Sequence, residues 1–265
     1  MVDFERKASY DVQDFRRIIT ILRGEGGCPW DREQTHESLR RNLLEEAYEV
    51  CEAIDEKSAA HLREELGDLL MQILFHADIE ASSGGFDLDD VADEACKKLI
   101  LRHPHVFGDV QVDSAAEVLE NWDAIKRVEK HQETTGSAMD SVARSLPALW
   151  RAEKVQKKAA KSGFDWPDIS GAADKLREEL EELQSAIRLG EGVEEELGDV
   201  LFSAVNTARF AHVDPEEALH ASCEKFIRRY RAMEEEAASR GRALPDMTLE
   251  EQDEIYQYVK LTRGI

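Results

Sequence analysis

The sequence predicts an all-α fold built from two tandem copies of one helical domain. Long segments rich in Leu, Ala, Glu, Lys and Arg carry their apolar residues at a 3.6 period. Only 6 prolines and 15 glycines interrupt 265 residues. The two halves also resemble each other segment by segment, which is the signature of a duplicated unit.

The elements follow in order. Helices are expected near 11–23, 35–54, 59–82, 88–102 and 114–130 in the first half, then near 144–161, 171–189, 193–212, 215–239 and 248–261 in the second. Ser114 with Glu117, and Thr248 with Glu251, have the spacing of a capping box, in which each residue satisfies an orphan N–H of the other's turn. Asp214 caps a helix whose first residue, Pro215, has no N–H to lose. Apolar stripes Leu176-Leu180-Leu183-Ile187 and Leu197-Val200-Leu201-Val205 should pack as an antiparallel hairpin closed by the Gly190–Gly192 turn. His131 to Ala138 has no apolar period and reads as the linker between domains at 1–131 and 139–265.

The duplication is visible in particular residues. Glu64-Glu65-Leu66-Gly67-Asp68 recurs as Glu195-Glu196-Leu197-Gly198-Asp199, an offset of 131. Glu45-Glu46-x-x-Glu49 returns as Glu178-Glu179-x-x-Glu182 at 133, Lys98-x-x-x-Arg102 as Lys225-x-x-x-Arg229 at 127, and Trp122-x-x-x-Lys126 as Tyr256-x-x-x-Lys260 at 134. Trp30 pairs with Trp166 and is expected, like it, to anchor a core or a dimer contact. Offsets that drift without changing order are what loop insertions produce.

Composition then limits the partners. With 57 acidic against 34 basic residues the formal net charge is −23, a field that repels nucleic acid and anionic membrane. The longest runs without Asp, Glu, Lys or Arg, Leu69–Ala77 and Val200–Ala208, are nine residues, short of the roughly 20 that span a bilayer. The N-terminal Met-Val-Asp-Phe-Glu-Arg-Lys lacks the apolar core of a signal peptide, so the cytoplasm is the expected location. Cys28, Cys51, Cys96 and Cys223 are too scattered for a zinc or redox pair and read as reduced packing residues. His103-Pro104-His105 reads as a capped helix end. No Gly-Lys pair exists for a P-loop, and a Nudix box fails at Ala60-His61 and Asp68.

A lone Glu-Glu-x-x-Glu arises about two to three times by chance in so acidic a chain. Chance does not explain the same pattern twice, each time followed by Glu-Leu-Gly-Asp on the next helix. Residues three apart share a helix face, so Glu179 with Glu182 and Glu196 with Asp199 should bring four carboxylates together across the hairpin. Crowded carboxylates raise one another's pKa unless a cation compensates. Hard oxygen ligands favour Mg²⁺, with Mn²⁺ as a substitute. A di-iron bundle would need Glu-x-x-His, and both copies have Asp where that His belongs. Lys175, Lys225 and Arg229 could then hold the phosphates of a nucleotide, and Tyr256 and Lys260 its base or ribose.

GCPWDREQTHESL, LLEEAYEV, EELGDLL and RHPHVFGDV in the first half, with RSLPALWRAEKVQKKAAKSGFDW, EELEEL, EEELGDVLF and EKFIRRY in the second, resemble the two-domain MazG nucleoside triphosphate pyrophosphohydrolases over essentially the whole chain. The resemblance implies a homodimer whose helices form four-helix-bundle-like cores. It also implies Mg²⁺-dependent hydrolysis of nucleoside triphosphates to monophosphate and pyrophosphate, with broad base selectivity. Carried onto matching positions, Glu179, Glu182, Glu196 and Asp199 become metal ligands and Glu178 the group that orients or deprotonates water, with Lys175 and Arg229 stabilising phosphate charge. Attack at the α- or the β-phosphorus stays open.

The copies differ. The first keeps Glu45, Glu46, Glu49, Glu65, Asp68, Lys98 and Arg102 but has Asn42 where the second has Lys175, so it is expected to be weak or inactive unless Arg40 or Arg41 supplies the charge. The rival reading is a non-catalytic helical module that senses nucleotide or docks a protein, and a turnover assay separates the two.

Overall fold

The computed structural model describes residues 4–129 and 134–264. Among them the chain is helical, with no strand. It forms two compact units that divide between Ile125 and Lys126. No helix of the described residues is long and apolar enough to cross a membrane.

The first unit contains α1 (Val12–Arg23), α2 (Pro29–Glu33), α3 (His36–Asp55), α4 (Ala59–Ser83), α5 (Leu88–Arg102) and α6 (Pro104–Phe107). The seventh helix, α7 (Ala115–Glu129), runs across the division. α3 and α4 lie along each other, and α1 packs on α4. Ile19, Leu39, Leu74 and Phe75 form the buried core, flanked by Phe15, Leu22, Leu70 and Met71. α5 ends where His103 donates from Nδ1 to the Leu99 carbonyl at 2.6 Å.

The second unit contains α8 (Thr135–Asp140), α9 (Ala148–Lys161), α10 (Ile169–Leu189), α11 (Val193–Phe210), α12 (Pro215–Ser239) and α13 (Leu249–Arg263), with a 3₁₀ turn at Leu244–Asp246. α10 and α11 pair as the counterpart of α3 and α4, and α9 packs on α11 and α12. The turn between α10 and α11 uses Gly190 at φ 74° and Gly192 at φ 73°, left-handed positions that a Cβ disfavours. A separate core of Ala232, Met233, Ala237, Leu244, Ile255 and Val259 joins α12 to α13. Asp214 caps α12 by accepting from the N–H groups of Glu216 and Glu217, and the Thr248–Glu251 box caps α13.

Several expectations are corrected. The helix expected from 144 begins at Ala148, because Pro147 closes the preceding loop. Residues 131–133 of the expected linker lie outside the described residues. Its remainder belongs to α8, since Thr134 and Ser137 cap each other reciprocally and nucleate a turn that needs no apolar period. Trp30 and Trp166 are exposed, which excludes the core anchor among the two roles expected of them; Trp166 lies over Gly171, where a Cβ would come within 2.7 Å of its ring. Cys51, Cys96 and Cys223 are exposed thiols, not packing groups. Leu180, Ile187, Leu197 and Leu201 also face outward, because a two-helix hairpin has one inner seam and these stripes are wider than it.

His36 at the start of α3 is tied to His76 and Glu80 in the last third of α4. Its Nε2 lies 2.9 Å from Glu80, and its Nδ1 lies 2.7 Å from Nδ1 of His76 with the ring planes 9° apart. A carboxylate only accepts, so His36 Nε2 carries a proton. His76 Nε2 is buried and makes no hydrogen bond. Burial first, then repulsion from His36, holds His76 below its ordinary value of 6.5. A depressed pKa favours the neutral ring in the folded unit, so this stabilisation is complete above pH 6.5 and is lost as pH falls below it. Thermal melting between pH 8 and pH 5 should therefore show a steeper loss for the natural chain than for His76→Gln, and equal slopes would refute this origin.

Candidate active site

The second unit gathers six predicted residues on one hairpin. Carboxylate oxygens of Glu179, Glu196 and Asp199 all lie within 4.8 Å of one another. α10 supplies the first and α11 the other two, because positions 196 and 199 are one helical turn apart. Glu179 is only 5% exposed, an expensive position for an unpaired charge. Lys175, one turn earlier, answers it, with Nζ 2.6 Å from Glu179 and 2.7 Å from Glu178. Those bonds, to Glu178 first and Glu179 second, hold the ammonium well above its ordinary range. Glu182 is exposed and lies outside the group of three, but it hydrogen-bonds Glu179. Desolvation, then Glu179, raises its carboxyl.

The remaining predicted residues belong to α12 and α13. Arg229 donates from Nη1 to the Tyr256 hydroxyl at 2.9 Å, and its guanidinium carbon sits 5.5 Å from the Tyr256 ring centre. Packing of Tyr256 against the core between α12 and α13 fixes that pair. Lys225 and Lys260 are exposed on the same two helices.

The first unit carries the second acidic group. Oxygens of Glu46, Glu49 and Glu65 converge within 4.8 Å, with Asp68 close enough to act on Glu46. Burial, then repulsion from Asp68 and Glu49, raises Glu46. Arg41 does not stand in for the missing lysine: it pairs with Glu45 at 2.8 Å and is 87% exposed. Lys98 and Arg102 both lie on α5. His61, which the spacing argument passed over, lies 3.0 Å from Glu65 and 2.8 Å from Glu56, and Glu56 above all raises its pKa. Its position four residues before Glu65 was the available signal; the equivalent position in the second copy, at the offset of 131, is Gly192.

Both groups are all-oxygen, suiting a hard divalent cation rather than zinc or copper. The three carboxylates of each group lie within 4.8 Å of one another, a crowding of like charge that such an ion would relieve. The residues present therefore fit a magnesium-type ion.

A family model for the MazG nucleotide pyrophosphohydrolase domain matches this chain twice, over residues 34–107 and 170–233, and each match contains one of these acidic hairpins. The chain belongs to the MazG family. Among MazG relatives, the nucleoside triphosphate pyrophosphohydrolase/pyrophosphatase MazG of Thermotoga maritima is 44% identical over 96% of this chain and 98% of its own length. The nucleoside triphosphate pyrophosphohydrolase of Escherichia coli K12 is 42% identical over 92% of this chain and 96% of its own. YabN of Bacillus subtilis is 46% identical over 97% of this chain but only 53% of its own length. MazG membership carries an enzyme class, hydrolysis of phosphoric anhydride bonds.

Proposed function

We propose that this MazG protein hydrolyses nucleoside triphosphates and deoxynucleoside triphosphates to monophosphate and pyrophosphate, with Mg²⁺ as cofactor and the second unit as the working site. The carrying observation is the convergence of Glu179, Glu196 and Asp199 beside a lysine that the first unit lacks. In this reading Glu179, Glu196 and Asp199 would hold the ion, and Glu182, hydrogen-bonded to Glu179, would be the fourth ligand. A divalent ion held there would supply charge to neutralise phosphate oxygens and would favour ionisation of the attacking water.

Glu178, exposed and hydrogen-bonded to Lys175, orients that water and takes its proton. Lys175, Lys225 and Arg229 offset charge on the phosphate oxygens as the anhydride breaks and pyrophosphate leaves. Tyr256, with Lys260 one turn on, contacts base or ribose. Stacking on one ring tolerates any base, which supports broad selectivity. The first-unit residues Glu45, Glu46, Glu49, Glu65, Asp68, Lys98 and Arg102 form a weak or inactive copy, consistent with Arg41 being directed to Glu45. The outward apolar residues of α10 and α11 support a homodimer completed as a four-helix bundle. The acidic surface argues against nucleic-acid partners, and the cytoplasm is the proposed location.

Anion-exchange analysis after incubation with a panel of triphosphates tests the reaction. Monophosphate plus pyrophosphate with Mg²⁺, and a fall to background with EDTA, is the expected result. Diphosphate plus inorganic phosphate would sink the reading in favour of a different phosphohydrolase, and no turnover across the panel would sink it in favour of a nucleotide-sensing module.

A further inference from the structure

Lys175 has two prospective partners, the carboxylate beside it and a phosphate of the nucleotide. Its Nζ already lies on Glu179 at 2.6 Å, and Glu179 belongs to the set that would hold the divalent ion. Glu179 is buried, so without another cation the lysine is what makes its charge tolerable. A divalent ion bound by Glu179 would take over that role and repel an ammonium left in contact with the same carboxylate. The lysine stem is flexible and its head strongly hydrated, so it can leave for a nearby anion without moving the helix.

We propose that Lys175 is a resident counter-ion that the divalent cation displaces: metal loading breaks the Lys175–Glu179 pair and frees the ammonium to bind a phosphate oxygen of the nucleotide. The inference deepens the proposed function and rests on it. It makes the site ordered, since the phosphate-binding charge becomes available only after the metal has entered. Triphosphate arriving at a metal-free site meets a lysine already neutralised by Glu178 and Glu179. The first unit is a natural comparison. It has Asn42 at the equivalent position, and there Glu46, half-buried in the group it forms with Glu49 and Glu65, has no lysine one turn before it.

Two measurements on the whole chain test this, with metal binding read in the absence of nucleotide. Mn²⁺ binding is followed by the electron paramagnetic resonance signal of the free ion, and Mg²⁺ by competition, with Glu46→Gln and Glu49→Gln silencing the first unit. In that background Lys175→Met should tighten metal binding about tenfold or more while lowering turnover about 100-fold, opposite signs that a general loss of structure does not produce. The tightening should persist near about 0.5 M salt, because contact competition is screened less than distant repulsion.

The second measurement needs no substitution. Acetylation of Lys175 by acetic anhydride, read by mass spectrometry of its peptide, should speed up about tenfold on saturation with Mg²⁺, because Nζ is then no longer held against the buried Glu179 and is open to the reagent. Equal or weaker metal binding in Lys175→Met, tightening that vanishes in high salt, or labelling unchanged by verified metal saturation would each overturn the exchange alone. A natural chain that binds no Mn²⁺ at all would overturn the metal reading of the site with it.

Discussion

Replacing Glu179 by Gln should reduce triphosphate turnover by about 10³-fold, whereas Glu46→Gln should leave most of it intact. The two substitutions remove the same atom from equivalent positions of the repeat, so the contrast isolates the difference between the units. Glu179 is the carboxylate that Glu196, Asp199 and Lys175 all face, and a neutral amide there offers a divalent ion one weak oxygen in place of a charge. Glu46 has matching acidic neighbours but no lysine, and its raised pKa shows that its charge is already costly. Steady-state rates for both variants, with circular dichroism confirming helix content, decide the matter. A comparable collapse in Glu46→Gln would show that turnover requires the first unit and would overturn the assignment of the working site to the second.

Leu201→Asp should convert a dimer into a monomer at micromolar concentration. Leu201 is an exposed apolar residue of α11, as is Leu197 one turn before it, and Leu180 and Ile187 are exposed on the paired helix α10. Covering such residues with a second copy removes apolar surface from water, and an aspartate among them would be an unpaired charge in the contact, costing about 3–5 kcal/mol, or a factor of about 10² to nearly 10⁴ in dissociation constant. Sedimentation velocity of the natural chain and the variant over a concentration series reads the change directly. A natural chain that sediments as a monomer throughout would reject the dimer.

Much of this was legible in the sequence. The ten long helices follow from apolar residues at a 3.6 period, and their starts from Asp214-Pro215 and the Thr248–Glu251 box. Short α2, α6 and α8 were missed because one turn of helix is too brief to show a period; Pro29, Pro104 and the Thr134–Ser137 box start them by local geometry. The convergence of Glu179, Glu196 and Asp199 was also legible, since it needs only the i, i+3 spacing on α11 and a hairpin that brings α10 alongside.

The sequence by itself determined the helical class, the duplication and the positions of the acidic pairs, because these depend on spacing along one chain. Only the tertiary structure decided which carboxylate is buried, that Lys175 spends its charge on Glu178 and Glu179, that His61 rather than Arg41 stands beside the first acidic group, and which leucines face outward. Those outcomes depend on how neighbouring helices shield a position from water. Burial and charge pairing are properties of packed surfaces, and helical periodicity names the face of a helix without naming what will lie against it.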